Sequence, residues 1–314
     1  MTKLGLLFPG QGSQYVGMGK EIYDNFPEAK DIFDKANEIT GFDLKKIVFE
    51  GPEETLKQTQ YTQLAIFVTS MAVFKVFTIH YPLSTNNCIC AGHSLGEYSA
   101  MGAAEVFDLK DGINLVKARG RYIAKASEKN TGTMAAVIGL DRQVLEAVCK
   151  DSSNGSSCEM VNFNSPGQIV ISGNIEAVNK AVELAAAKGA AKTIVLNVSG
   201  PFHSKLMTEA SLSMEEELKK FNLSTPKFPI VFNCDGQITT DKELIKNKMV
   251  KQINNPVYWE DSINNMIKSG VDSFIEIGPG RVLSGLLRRI DKTKKCFNIE
   301  DKASLEKTLA QIKQ

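Results

Sequence analysis

The sequence predicts an α/β protein: a large, mainly parallel sheet covered by helices, with a small ferredoxin-like β-α-β-β-α-β unit inserted. Three observations predict it. Short apolar runs alternate with longer amphipathic stretches over residues 1–128, the pattern of strands linked by helices. Over residues 129–199 the elements read β-α-β-β-α-β, a complete ferredoxin-like set. Residues 200–314 then return to helices with two further strands, so 1–128 and 200–314 read as one domain and 129–199 as a subdomain within it.

Taken in order, 3–8 is an apolar run ending in Pro9-Gly10, a strand that breaks into a loop. Two helical stretches follow. Residues 63–79 read as a buried helix stopped by His80-Tyr81-Pro82. A short strand at 87–91 leads into Gly92, and 95–105 and 111–128 are helices. In the subdomain, 133–140 is a strand, Asp141 caps a helix running to about Lys150, and 151–157 is a polar loop. Strands at 159–162 and 168–172 are joined through Ser165-Pro166-Gly167. A helix at 175–188 stops at Gly189, and 192–198 is the last strand. Beyond it lie helices at 205–221, 241–252, 259–269 and 281–290, with strands at 230–233 and 273–277.

Composition narrows the function. Lys and Arg total 37 against 36 Asp and Glu, a net charge of +1, which argues against a dedicated nucleic-acid binder with its strong basic excess. Hydrophobic residues make up 43% and charged ones 23%, the balance of a core-forming chain rather than a disordered one. The most apolar stretch, 64–79, carries Thr69, Ser70 and Lys75 and falls short of the roughly 20 apolar residues a membrane helix needs. The opening residues show no basic segment followed by an apolar run, so no secretory signal is expected. Cys88, Cys90, Cys149, Cys158, Cys234 and Cys296 include no CxxC pair, so reduced, mostly buried thiols in a cytosolic compartment are expected, and no metal site.

Gly92-His93-Ser94-Leu95-Gly96 matches G-x-S-x-G between an apolar strand and a helix, the setting of a nucleophile elbow. Flanking glycines let the backbone turn sharply, and the Leu95 N–H at the helix start can face a developing oxyanion. The alternative is a glycine-rich turn that merely joins the two elements. A serine nucleophile needs a base, and the chain has three histidines. His93 is adjacent and points elsewhere, because successive side chains diverge near a strand end. His80 ends a helix, where its charge is favourable on dipole grounds alone. That leaves His203, in Gly200-Pro201-Phe202-His203-Ser204, as general base, with helix capping beside Ser204 as the plainer alternative.

A hydrolase would follow the order Ser, acid, His with the histidine near the domain end. Here no acid stands out between Ser94 and His203, 111 residues follow His203, and the HGGG loop is missing. On the helix at 111–128, a 100° wheel places Leu115, Val116, Tyr122, Ile123 and Ala126 on one face with Arg119 among them, while Lys117 and Arg121 point away. A guanidinium on an apolar stripe should meet an anion, either a structural carboxylate of the chain or a substrate carboxylate held bidentately.

Phe8-Pro9-Gly10-Gln11-Gly12-Ser13-Gln14, Gly92-His93-Ser94-Leu95-Gly96-Glu97, Arg119 and Gly200-Pro201-Phe202-His203-Ser204, in this order, resemble the malonyl-CoA:acyl carrier protein transacylase family over nearly the whole chain. The first segment is highly specific for acyltransferases of fatty acid and polyketide synthesis. The resemblance implies an α/β-hydrolase-like large domain and a ping-pong reaction. Ser94 would be acylated by malonyl-CoA and deacylated by the phosphopantetheine thiol of acyl carrier protein. It implies His203 as base and then acid, oriented by the backbone carbonyl of Gln252 instead of an aspartate. The N–H groups of Gln11 and Leu95 would form the oxyanion hole, and Arg119 would hold the malonyl carboxylate. Asn162 matches a site-lining residue, and Phe202, before the histidine, agrees with malonyl. The resemblance implies no cofactor beyond the two substrates.

An acidic carrier calls for a local basic patch despite the neutral total. Arg288, Arg289, Lys292, Lys294 and Lys295 form the densest basic run, with Lys192 at the subdomain edge, and an ordinary solvated face is the alternative. A monomer without nucleic-acid or membrane partners is expected. Its Lys- and Asn-leaning composition fits an AT-rich genome, bacterial or organellar; a bacterial cytoplasm is expected, or an organelle after removal of a transit peptide. A serine thioesterase or hydrolase, a polyketide acyltransferase and a non-catalytic carrier-binding module stand as alternatives.

Overall fold

The computed structural model describes residues 3–85, 87–153 and 155–312. Its larger sheet contains β1 (Lys3–Phe8) and β2 (Cys88–Gly92). The smaller sheet contains β3 (Gly132–Ile138), β4 (Cys158–Ser165), β5 (Gln168–Asn174) and β6 (Lys192–Val195). The chain then returns to the larger sheet with β7 (Ile230–Val231), β8 (Ile238–Thr239), β9 (Val271–Ile277) and β10 (Lys295–Ile299). The larger sheet runs β10-β9-β1-β2-β7-β8 and is parallel throughout except for the β7–β8 pair. The smaller runs β4-β5-β3-β6, antiparallel at every step, which is the ferredoxin-like order.

A parallel strand covered on both faces should read as a continuous apolar run, and β1 does. Leu4, Leu6 and Phe8 enter the main core under helix Thr59–His80, while Leu7 enters a second core with Trp259, Ile263 and Leu287. Helix Thr59–His80 has 22 residues, longer than the sequence predicts, and is long and apolar enough to cross a membrane by length and composition. Its most apolar window is instead 72% buried against the rest of the chain.

The small sheet is likewise two-faced. Val137 and Ile171 pack under helices Arg142–Ser152 and Ile175–Ala187, while Met134, Ala136 and Val170 face the large domain with Phe202. Strand β4 is tied to the large body through Val257, whose N–H donates to Val161 O at 2.7 Å and whose carbonyl accepts from Phe163 N at 2.9 Å.

Several expected elements change. The first helical region divides into Lys20–Asn25, Pro27–Thr40, Leu44–Glu50 and Glu53–Leu56. The polar loop expected at 151–157 begins later, since its helix runs to Ser152, and Asn154 lies outside the described residues. The strand expected to reach Val198 ends at Val195. Strands β8 and β10 and the helix Lys302–Ile312 have no counterpart in the sequence reading. All six cysteines are unpaired, four of them buried.

Candidate active site

Phe8 and Gly92 are register partners at the carboxyl ends of β1 and β2, the edge where open α/β sheets hold ligands. The loops leaving them lie in contact. A Cβ on Gly10 would sit 2.2 Å from His93 O, one on Gly96 2.0 Å from Phe8 O, and one on Gly92 1.9 Å from Gly96 C and O. The glycines of the elbow are therefore required by backbone contact. Gly92→Ala is expected to cost about 4 kcal/mol or more, read as a fall in denaturant midpoint at constant m-value. Gly285→Ala, where an added Cβ meets nothing within 4 Å, should not.

Ser94 takes a left-handed φ of 51°, which aims its side chain away from the sheet into a cleft of about 500 Å³. His203 reaches it from the loop after β6, also at a positive φ, 60°. Ser94 Oγ and His203 Nε2 are 2.8 Å apart, and His203 Nδ1 is 2.8 Å from the backbone carbonyl of Gln252, at the end of helix Lys242–Gln252. A carbonyl only accepts, so Nδ1 carries the proton and Nε2 is left to accept from the Ser94 hydroxyl. Burial, and then the Arg119 charge, push the His203 pKa down to about 3. At neutral pH the imidazole is an unprotonated base.

Arg119, on helix Leu109–Lys129, is 2% exposed and lies in the same place. Nη1 donates to Gln63 Oε1 at 2.7 Å, and Nη2 to Gln252 Oε1 at 2.9 Å and to Ser94 Oγ at 3.2 Å. The Tyr98 ring lies 5.5 Å beneath the guanidinium. Among the described residues no carboxylate is within ion-pairing distance. Glu97, a buried acid, has its pKa pushed up to about 8 by burial, against the lowering pull of Arg119. Two glutamines thus aim a desolvated cation at the nucleophile without neutralising it. The structural carboxylate that the sequence left open is not there.

Leu95 precedes helix Gly96–Ala103 and lines the cleft together with Gln11. Among the described residues neither backbone N–H has a hydrogen-bond partner, so both are available to an oxyanion. The arrangement holds a serine hydroxyl, an imidazole with an orienting carbonyl, two free donors and an unpaired cation, the parts that acyl transfer to and from serine requires.

The acyl transferase domain family model matches residues 6–306. The malonyl CoA-acyl carrier protein transacylase of Bacillus subtilis is 41% identical over 315 residues, covering 100% of this chain and 98% of that protein. That of Salmonella typhimurium is 39% identical, covering 99% and 100%. The chain belongs to the malonyl CoA-acyl carrier protein transacylase family. Among solved structures, a malonyl-transacylase in complex with its holo type II PKS acyl-carrier protein has a TM-score of 0.95 at 39% identity, over 98% of this chain and 99% of that one. The transacylase of Clostridium perfringens has a TM-score of 0.93 at 40% identity, over 99% and 97%.

The remaining predicted residues of this acyltransferase fall in two places. Asn162 and Phe202 line the cleft, and the Asn162 Oδ1 is buried without a protein partner among the described residues. Lys192 and Arg289 lie elsewhere. Ile138 is the register partner of both Lys192 and Gln168, and Arg289 Nη1 donates to Gln168 Oε1 at 2.5 Å. Both cations therefore sit at the Ile138 end of β3, while the cleft takes Met134, roughly 13 Å back along the strand. The rest of the basic run lies together: Arg288, Lys292 and Lys294 line one groove, where Lys294 also pairs with Asp272 at 3.6 Å, and Lys295 opens β10.

His93, which the sequence set aside as base, is engaged by Asn164 at 2.8 Å and by the Trp259 ring. Gln63 and Asn233 were missed. Gln63 signals itself only as an amide inside an apolar helix, and Asn233 only as a polar residue at the end of a strand. Among the described residues no group of three or more His, Cys, Asp or Glu side chains is placed to hold a metal ion.

Proposed function

We propose that this chain transfers a malonyl group from malonyl-CoA to the phosphopantetheine thiol of acyl carrier protein through an ester on Ser94, supplying fatty acid synthesis. Ser94 Oγ attacks the thioester carbonyl as its proton passes to His203 Nε2. The Gln11 and Leu95 N–H groups hold the oxyanion, the C–S bond breaks, and the CoA thiolate leaves with the proton from Nε2. In the second half His203 takes the proton of the carrier thiol, its sulfur attacks the ester, and the proton returns to Ser94 as the C–O bond breaks. No cofactor takes part. Residues 1–128 and 200–314 would act as the acyl-transfer domain, with 129–199 as the subdomain closing one wall of the cleft, in a monomeric protein of the cytoplasm.

The observation that carries this reading is Arg119, a buried cation 3.2 Å from the nucleophile with neutral partners only. A substrate that brings its own carboxylate completes it; an acetyl group does not. Incubation with malonyl-labelled CoA tests the reading. Label should attach at one group per chain, and move to holo-acyl carrier protein when that is added. Release of free malonate without a carrier would instead make the chain a hydrolase. Carriers of fatty acid and polyketide synthesis compared side by side decide between the two pathways.

The carrier is proposed to dock on the Lys192–Arg289 side of the small sheet, with Arg288 adding to its field. Charge reversal at Arg288 and Arg289 should raise the apparent KM for carrier protein severalfold and leave that for malonyl-CoA unchanged. Equal effects on both substrates would exclude docking there.

A further inference from the structure

Behind the elbow, on the side away from the cleft, one residue holds both ends of the nucleophile turn. Asn233 follows β7, the neighbour of β2, and is completely buried. Its Nδ2 donates to Gly92 O at 2.7 Å, and its Oδ1 accepts the backbone N–H of Ser94 at 2.7 Å. The turn Gly92-His93-Ser94 is thus spanned by a single amide that satisfies a carbonyl at one end and an N–H at the other. Asn233 is itself fixed. Its backbone N–H donates to Glu97 Oε2 at 2.7 Å and its carbonyl accepts from Tyr258 N at 2.8 Å. Glu97 comes from the first turn of the helix that the elbow leads into, so the support closes on the same motif that it holds.

A non-glycine residue at positive φ is costly and persists only where the surroundings over-determine it. Ser94 is such a residue, at φ 51°. Without the amide, a Gly92 carbonyl and a Ser94 N–H would lose their partners in a buried setting, each at the full cost of its desolvation. The turn would then relax, and Oγ would move from the 2.8 Å position at His203 Nε2. The same contact takes the Ser94 N–H out of the oxyanion-binding set, which leaves Gln11 and Leu95.

We infer that Asn233, anchored by Glu97, is a positioning residue for the nucleophile, clamping the Gly92–Ser94 turn so that Oγ stays in line with His203 in both half-reactions. This rests on the proposed role of Ser94. Glu97 acts in it as an acceptor for the Asn233 N–H. Arg119, Lys248, Asp235 and Cys234 face it, and burial outweighs the cations in raising its pKa.

Single-turnover acylation with labelled malonyl-CoA tests the inference. Asn233→Ala should lower the acylation rate constant by about 10²-fold, the cost of a misplaced reacting atom, and leave the half-saturating malonyl-CoA concentration unchanged, because Arg119 is untouched. Glu97→Gln, whose amide oxygen can accept from the Asn233 N–H, should recover most of the rate that Glu97→Ala loses. Asn233→Asp covers the case in which the alanine variant does not fold. Its carboxyl can donate to Gly92 O only when protonated, so its rate should rise as pH falls, opposite to the parent. An Asn233→Ala chain that acylates at the parent rate would overturn the inference. So would a loss confined to malonyl-CoA affinity, or an Asn233→Asp chain with the parent pH profile. A parent chain that forms no Ser94 ester would overturn the proposed function as well, so the two failures are told apart.

Discussion

Ser94→Ala is expected to take up no acyl label and to lose transfer by roughly 10⁴–10⁶-fold, while still binding malonyl-CoA. In the proposed reaction the hydroxyl is the group that would become the ester. His93 is the adjacent alternative, and it is committed to Asn164 at 2.8 Å. His203→Ala should be nearly as severe, and the double variant little worse than either single one, because the pair acts as a unit. Gln252→Ala separates two functions of one residue. The backbone carbonyl that orients His203 survives the change, but the acceptor for Arg119 Nη2 at 2.9 Å and the donor to Ser94 O at 2.6 Å are lost. Its effect should therefore appear in malonyl recognition and elbow geometry, not in the state of the imidazole. A label burst that persists in Ser94→Ala would place the ester on another residue and exclude the reaction drawn here.

Why the nucleophile and base were legible in the sequence, and their supports were not, follows from the range over which each requirement acts. Gly92, Ser94 and Gly96 are constrained by one another, and a Cβ at Gly92 overlaps Gly96, so a five-residue pattern carries the constraint. Arg119 was legible because a wheel on a single helix puts a charge among apolar neighbours, and the structure buries it with Leu115, Val116 and Ile123. His203 stood out only because two other histidines could be set aside. Gln63 and Asn233 are different. They act 56 residues from Arg119 and 139 from Ser94, and neither amide is unusual in its local context. The strand β10 was hidden for a related reason. Its residues Lys295–Ile299 are only partly buried until Ile299, so an edge strand reads as a basic run. Within that run only the tertiary fold shows Arg289 turned to Gln168.

Arg119→Ala is expected to lower kcat/KM for malonyl-CoA by roughly 10²–10³-fold, from the loss of a buried charge pair worth about 2–5 kcal/mol. The same variant should leave acetyl transfer unchanged or improve it. An acetyl group gives the guanidinium no partner, so removing the charge removes an unfavourable field and no contact with the acyl group. The variant should also move the pH profile, in a direction fixed by the charges. His203 is held low first by burial and then by Arg119, and a base works above its own pKa. Taking away the positive charge makes imidazolium less unfavourable, so the pKa rises and the acid limb of acetyl transfer shifts to higher pH. Burial remains, which keeps that limb below the ordinary histidine value of 6.5. A malonyl carboxylate seated on Arg119 offsets the same charge in the parent chain. The right substrate therefore strengthens the base that attacks on its behalf, and selectivity should appear in kcat as well as in KM. Equal losses for the two acyl donors, or an acid limb that stays put, would show that Arg119 serves the fold and not the substrate.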